Sequence, residues 1–442
     1  MRKRLKPIPT EHFTTTITKV SHEGRGIAIV DGKTTFIFGA LLGEEVEFAY
    51  DALHSKFNEG HVVNIIKPSS ERVKPQCAHF GVCGGCSLQH MQHDAQIALK
   101  QKTLDEQLEH FAKTKPKTWL APLTTNEYGY RHKARLGVRY VVKKDSVLVG
   151  FREQSSRYLA AIDNCEVLDP RVGKLITPLR ELIQSMAAFE QIAQIEVAMG
   201  DVDTALVFRN MIPLVESDQD KLKQFADAHH LMIFLQPAGP NSIYKLYPDD
   251  GKALLSYSLP DYHLTFQFHP LEFTQINPEI NKKMITQALE LLALTPEDEV
   301  LDLFCGLGNF TLPIARTAKH VVGVEGSDAL VARAKQNAEN NDIKNVEFFM
   351  ADLSQPLDNH AWAHRRYTKI LLDPARTGAK EIAEVIQRWN PEAVVYVSCN
   401  PATLARDIGL LTERGYTLEK AGIMDMFPQT THVESMALLR KL

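Results

Sequence analysis

No apolar run in the sequence reaches the roughly 18 residues that a membrane-spanning helix requires, so no membrane segment is expected. No low-complexity tract or internal repeat is visible either. With 442 residues, 44% apolar and 24% charged, the composition is that of a globular chain of two to four domains. Cysteine is scarce, at six residues. That excludes a disulfide scaffold in a chain this long. In a reducing compartment the thiols read as metal ligands or as chemistry. The opening Met1-Arg2-Lys3-Arg4-Leu5-Lys6-Pro7 is basic but leads into polar residues, so no secretory signal and a cytoplasmic location are expected.

A large net charge is also lacking, but the total of −4 conceals an imbalance. Residues 1–165 hold 24 Lys and Arg against 17 Asp and Glu; residues 166–442 hold 26 against 37. A basic front on an acidic remainder points to a polyanion as partner of the front.

What is present begins with short strand-like runs. Thr14–Val20, Ile27–Val30, Thr35–Phe38, Glu45–Tyr50 and His61–Ile66 alternate with turns, Asp31-Gly32 among them. About five strands in so short a span suit an OB-type β-barrel, a fold that binds nucleic acid on one face. Residues 88–111 read as helix, and residues 120–270 as mixed strand and helix. From about residue 273 the pattern becomes β-α alternation. Its strands are Val300–Phe304, Val321–Val324, Val346–Met350, Ile370–Leu372 and Ala393–Val397, with a helix over Asp328–Asn340 capped by Ser327. Such alternation implies a mostly parallel sheet.

Cys77, Cys83 and Cys86 follow a C-x5-C-x2-C spacing, and Gly81, Gly84 and Gly85 let the backbone curl around one centre. A fourth ligand is needed for either a cubane cluster or a structural zinc. Outside the alternating region only Cys165 remains. One paired and two single thiols favour [4Fe–4S] over zinc, and both stay open at this point.

Leu301-Asp302-Leu303-Phe304-Cys305-Gly306-Leu307-Gly308-Asn309 is a strand entering a glycine loop. The loop lacks the third glycine of the dinucleotide fingerprint, so pyrophosphate is not required. Glu325 ends the next strand, where a carboxylate accepts from ribose hydroxyls. Asp352, placed at the end of the third strand, is positioned for an adenine amino group. Together they point to S-adenosylmethionine. Cys305 reads as packing.

The fourth strand ends at Asp373, in Asp373-Pro374-Ala375-Arg376, and the fifth at Cys399, in Ser398-Cys399-Asn400-Pro401. Glu434 follows in His432-Val433-Glu434 and is expected on a late strand of the same sheet. Carbon 5 of uracil is a poor nucleophile. Adding a thiolate to carbon 6 makes an enolate, after which carbon 5 can accept a methyl group and a base removes its proton. Cys399 fits the nucleophile and Glu434 the base. The helix start after Pro401 is expected to lower the thiol pKa.

These residues, with Phe273-Thr274-Gln275-Ile276-Asn277, resemble the RNA uracil-5 methyltransferases, specifically their iron–sulfur branch acting on 23S ribosomal RNA. The resemblance covers nearly the whole chain. It implies an α/β fold with a C-terminal Rossmann-like S-adenosylmethionine-dependent methyltransferase domain at 271–442. An N-terminal OB-type β-barrel, the TRAM domain, would occupy 1–69, and an α+β central domain with the iron–sulfur loop 70–270. It implies a [4Fe–4S] cluster on Cys77, Cys83, Cys86 and Cys165, and cofactor contacts from Gln275, Phe304, Asn309, Glu325, Asp352 and Asp373. The implied substrate is uridine 1939, flipped from a single-stranded or loop region of 23S rRNA. Basic residues such as Arg131–Arg139 would hold the RNA, and no obligate protein partner is implied. Ala375 departs from the second proline many methyltransferases carry there. Rival readings are a transfer RNA uracil-5 methyltransferase, a 23S rRNA enzyme for another uridine, and an inactive metal-stabilised RNA-binding protein.

Overall fold

The computed structural model describes residues 8–442, so the basic heptapeptide lies outside the described residues. The chain forms two compact units. One contains the residues up to Thr103 together with Arg152–Tyr158 and Phe427–His432; the other contains the remainder.

In the first unit, strands Phe13–Thr16, Lys19–Val20, Gly26–Val30, Lys33–Phe38, Glu45–Leu53 and Phe57–Lys67 form one six-stranded sheet. The run Thr14–Val20 is not a single strand. It breaks at Ile17 and Thr18, whose N–H groups turn to Glu44 O (2.9 Å) and Ile27 O (2.9 Å). Ile17, Ala28, Ile37, Val46 and Phe48 are buried together, which is what alternating apolar positions achieve on one sheet face. The following helix starts later than residue 88, at His93, and runs to Gln107 before a short π-turn. Gln96, wholly buried, ties Phe427–His432 to this unit. Its Nε2 donates to Gln429 Oε1 (3.0 Å) and its Oε1 accepts from Gln429 N (3.1 Å).

In the second unit, strands from residues 133–247 form a six-stranded mixed sheet, and Leu255–Leu259 pairs with Leu264–Phe268. Helix α1 (Pro278–Leu292) follows, with Asn277 as N-cap and Pro278 in its first turn. The alternating region then supplies β1 (Glu299–Leu303), α2 (Thr311–Ala315), β2 (His320–Glu325), α3 (Asp328–Asn340), β3 (Val346–Met350), β4 (Lys369–Leu372), α4 (Lys380–Val385), β5 (Ala393–Ser398), α5 (Pro401–Glu413), β6 (Tyr416–Met424) and β7 (Glu434–Lys441). The order across the sheet is β3-β2-β1-β4-β5-β7-β6, with Thr118–Trp119 added at the β6 edge. β1 to β5 run parallel, while β7 is antiparallel to both β5 and β6. β4 and β5 are buried along their whole length, as strands covered on both faces must be. The order reverses between β1 and β4, so the carboxyl edge there is where a ligand binds.

Candidate active site

β1 stops at Leu303, one residue short of the strand expected from the sequence. Phe304 instead adopts φ +65°, and Gly306 and Gly308 follow at +55° and +93°. A left-handed phenylalanine is strained and is held by its surroundings. Glu325, at the end of β2, fixes the loop: its Oε2 accepts from Gly306 N (3.1 Å) and its Oε1 from Ser327 N (3.1 Å). Ser327 caps α3 as expected. Asp352 lies two residues beyond β3 rather than on it. Its Oδ1 accepts from Ser354 N (3.0 Å) and Ser354 Oγ (2.7 Å), bonds that hold its pKa low. Phe304, Glu325 and Asp352 line one cavity of about 800 Å³, which extends to Thr377, Thr403 and Arg406.

Asn309 faces the other side of the loop. Its Nδ2 donates to Asn281 Oδ1 (2.9 Å), while its Oδ1 accepts from Asn281 Nδ2 (3.1 Å) and from the Tyr257 hydroxyl (2.8 Å). Gln275 lines a small recess beside Asn281 and Tyr257. Asn281 and Tyr257 escaped sequence reasoning because neither sits in a motif.

The candidate thiol and carboxyl group meet through strand register. Ser398 pairs with Ser435 across β5 and β7, and Ser435 Oγ donates to Ser398 O (3.3 Å). In an antiparallel pair the residue after Ser398 faces the residue before Ser435, so Cys399 and Glu434 are neighbours. Asn400 makes the chain turn there: its Oδ1 accepts from Ala402 N (3.1 Å) as the N-cap of α5.

Burial dominates the electrostatics. Glu434 is 4% exposed, and loss of water raises its pKa to about 8, helped by Asp373 and opposed by Arg376. Burial brings Asp373 to about 7. The Cys399 thiol is raised to about 11 by burial, then by the charges of Glu434 and Asp373, with Arg376 again opposing. The expected lowering by the helix start is therefore overturned, because desolvation and two carboxylates outweigh it. Two charged groups of the site's surroundings escape sequence reasoning. One is Arg376, the cation whose charge acts on both Cys399 and Glu434. The other is Asp302, wholly buried inside β1, which accepts from Thr311 Oγ and is raised to about 8. The signal for Asp302 was an acid between two leucines of a buried strand. Cys305 is buried, as packing requires.

The loop after β4 is gripped by α5. Arg376 O accepts from Asn400 Nδ2 (3.0 Å) and Thr403 Oγ1 (3.2 Å), and Thr377 O from Arg406 Nη2 (2.9 Å). Buried Asp407 accepts from Ala379 N (2.8 Å) and the Tyr396 hydroxyl (2.7 Å).

The cysteine loop belongs to the first unit, apart from Cys165. Gly81 takes φ +90°, and at Gly84 a Cβ would sit 3.1 Å from Arg152 O. Cys83 is raised chiefly by burial and also by Cys77, so these two thiols lie within electrostatic reach. Gly85 N points at Cys83 Sγ (3.5 Å). In the second unit, Cys165 N donates to Gly173 O (2.9 Å). Among the described residues no group of three or more His, Cys, Asp and Glu is arranged to hold a metal ion.

The basic stretch divides. Lys133 turns inward, bonds Glu272 O and is lowered to about 8 by burial. Arg131 Nε donates to Lys133 O (3.0 Å). Arg135 and Arg139 face outward, and Arg135 pairs with Glu196 (2.6 Å).

Residues 92–442 match the family model described as tRNA (Uracil-5-)-methyltransferase. The chain is 52% identical to a 23S rRNA (uracil(1939)-C(5))-methyltransferase of Hahella chejuensis and 49% identical to that of Legionella pneumophila, with 100% of each chain covered. The Pyrococcus abyssi tRNA (uracil-54, C5)-methyltransferase, solved with S-adenosyl-L-homocysteine, shares the fold. Its TM-score is 0.73 at 22% identity, covering 96% of this chain and 99% of that one.

Proposed function

Since the chain belongs to the tRNA (uracil-5-)-methyltransferase family, we propose that it is the member that methylates carbon 5 of uridine 1939 in 23S ribosomal RNA, with S-adenosylmethionine as donor. Full-length identity of about half to relatives of that activity supports the assignment.

In the proposed mechanism Cys399 adds as thiolate to carbon 6 of a flipped uracil, and the ring electrons move to carbon 5 and O4. S-adenosylmethionine, when bound, supplies the methyl group that carbon 5 then takes. Glu434 removes the carbon 5 proton, and the electrons of that C–H bond re-form the ring double bond as the Cys399–carbon 6 bond breaks. Asp373 and Gln275 orient the reactants. Phe304 and Asn309 shape the cofactor loop, Glu325 receives the ribose hydroxyls and Asp352 the adenine amino group. The observation that carries this reading is the Ser398–Ser435 register, which sets the thiol against the carboxyl group beside Asp373.

Cys77, Cys83, Cys86 and Cys165 hold a [4Fe–4S] cluster in this reading. The support is an all-thiol donor set, with three members on a glycine-turned loop and two of them in electrostatic reach. No step of methyl transfer uses it. Residues 1–69 act as the TRAM domain, 70–270 as the central domain and 271–442 as the methyltransferase domain of a cytoplasmic enzyme.

The test is a 23S rRNA fragment with 5-fluorouridine at the target. Fluorine cannot leave as a cation, so the methylated ring should stay bonded to Cys399 and appear on its peptide by mass spectrometry. Absence of an adduct when methyl donor is present would remove the mechanism. A transfer RNA transcript assayed alongside should remain unmethylated.

A further inference from the structure

The carboxamide of Asn309, on the glycine loop, can be accounted for atom by atom. An amide oxygen accepts two hydrogen bonds and an amide nitrogen donates two. Oδ1 accepts from Asn281 Nδ2 (3.1 Å) and from the Tyr257 hydroxyl (2.8 Å), and so is filled. Nδ2 donates to Asn281 Oδ1 (2.9 Å), which leaves one hydrogen unspent. Asn309 is only half-buried, whereas Asn281 is 5% exposed. The methyl-transfer steps above use neither Tyr257 nor Asn281.

Tyr257 sets the polarity. The reciprocal Asn281–Asn309 pair would be equally satisfied with both amides turned over. In that arrangement Nδ2 would face the Tyr257 oxygen, and the hydroxyl proton would lose its acceptor, since Asn309 is its only hydrogen-bond partner among the described residues. Ionisation offers no escape, because burial, then the charge of Asp201, raises the Tyr257 pKa far above its ordinary value. The ring is fixed as well. It stacks on its cross-strand partner Phe266, with 4.9 Å between centroids and 6° between planes. Asp201 clamps the strand on both sides of it: its N–H donates to Ser256 O (2.9 Å) and its Oδ2 accepts from Ser258 N (2.8 Å). Asn281 lies one turn beyond the Asn277 cap of α1 and donates its N–H to the Asn277 carbonyl (2.9 Å).

We propose that Tyr257 and Asn281 are positioning residues that hold the Asn309 amide as a donor only, and that this donor serves the carboxylate of the cofactor's amino-acid end. The inference rests on the S-adenosylmethionine reading above. That end of the cofactor carries an ammonium group, which needs an acceptor, and a carboxylate, which needs a donor. A filled Oδ1 refuses the first, and the unspent Nδ2 hydrogen suits the second. The placement agrees. Glu325 and Asp352, assigned to ribose and adenine, line the cavity on one side of the glycine loop. Asn309 faces the other side, where Tyr257, Asn281 and Gln275 border one recess.

The experiment measures, by calorimetry, binding of S-adenosylhomocysteine and of its decarboxylated analogue, which keeps the amine and lacks the carboxylate. Tyr257→Phe keeps the ring and its stack and removes only the hydroxyl. It should weaken S-adenosylhomocysteine about tenfold and the analogue by less than about twofold. In an Asn309→Ala background the same change should cost nothing further, because its effect passes through that amide. Asn281→Ala should show the same selective loss, read as the ratio of the two affinities so that a general weakening cancels. The proposal is overturned if Tyr257→Phe leaves S-adenosylhomocysteine binding unchanged, if it weakens both ligands alike, or if its cost survives in Asn309→Ala. A natural protein that bound no S-adenosylhomocysteine would refute the cofactor reading itself, so the two failures are told apart.

Discussion

Glu434, Asp373 and Asp302 lose their water on folding and so ionise late, at about 8, 7 and 8. The proposed chemistry needs Glu434 as carboxylate and Cys399 as thiolate, and both fractions grow with pH. kcat/KM for RNA should therefore rise between pH 7 and 9, with an inflection near 8; a flat profile across that window would argue against these two groups. Arg376 opposes both upward shifts, so Arg376→Met should displace the rise to higher pH. Stability runs in the other direction. The folded chain holds the Glu434 proton more tightly than the unfolded chain, so stability declines as pH climbs from the ordinary carboxylate range through about 8. Glu434→Gln removes that decline. By calorimetry the variant should melt above the natural protein at pH 8 to 9, with the difference closing toward pH 5. On unmodified RNA the same variant should accumulate the methylated covalent adduct; free product at the natural rate would exclude Glu434 as the base.

At the scale of elements, β5 ends on a serine that pairs across to β7, and α5 begins two residues after the thiol. The rest of α5 then holds the loop that follows Asp373. Asp407 is its strongest grip, accepting from Ala379 N, the Tyr396 hydroxyl and Arg406 Nε (2.8 Å) with no solvent exposure. Asp407→Ala would leave the buried Tyr396 hydroxyl without its acceptor, while Ala379 N keeps the Tyr396 oxygen (3.0 Å), and should cost about 1–3 kcal/mol in urea melts. Asp407→Asn, which keeps an acceptor, should recover part of that loss. Local patterns foretold α3, its Ser327 cap and the five parallel strands, because period and capping are short-range properties. They failed at Thr14–Val20, where every residue suits a strand but pairing partners switch at Ile17. They failed too at Asp352, since nothing local separates the end of β3 from the turn after it.

For the whole molecule, three stretches far apart in sequence make up the first unit, and its cysteine loop and six-stranded sheet come from the basic part of the chain. If that part meets RNA backbone, the logarithm of affinity should fall linearly with the logarithm of salt concentration, while S-adenosylhomocysteine affinity stays nearly constant. A salt-independent RNA affinity would deny the basic residues a binding role. Anoxically purified protein should carry about four irons per chain; one zinc and no iron would replace the cluster by a zinc site.

The sequence by itself determined which groups were available at the strand ends: a thiol at 399, carboxyl groups at 325, 373 and 434, and glycines at 306 and 308. Residue type and spacing are enough for that, since the apolar runs locate the strands to within a residue or two. Only the tertiary structure decided that Cys399 faces Glu434, that the Arg376 charge acts on both, and that Asp302 loses its water inside β1. Register and desolvation are set by segments scores to hundreds of residues apart. No local pattern encodes how much water a group will lose when those segments close around it.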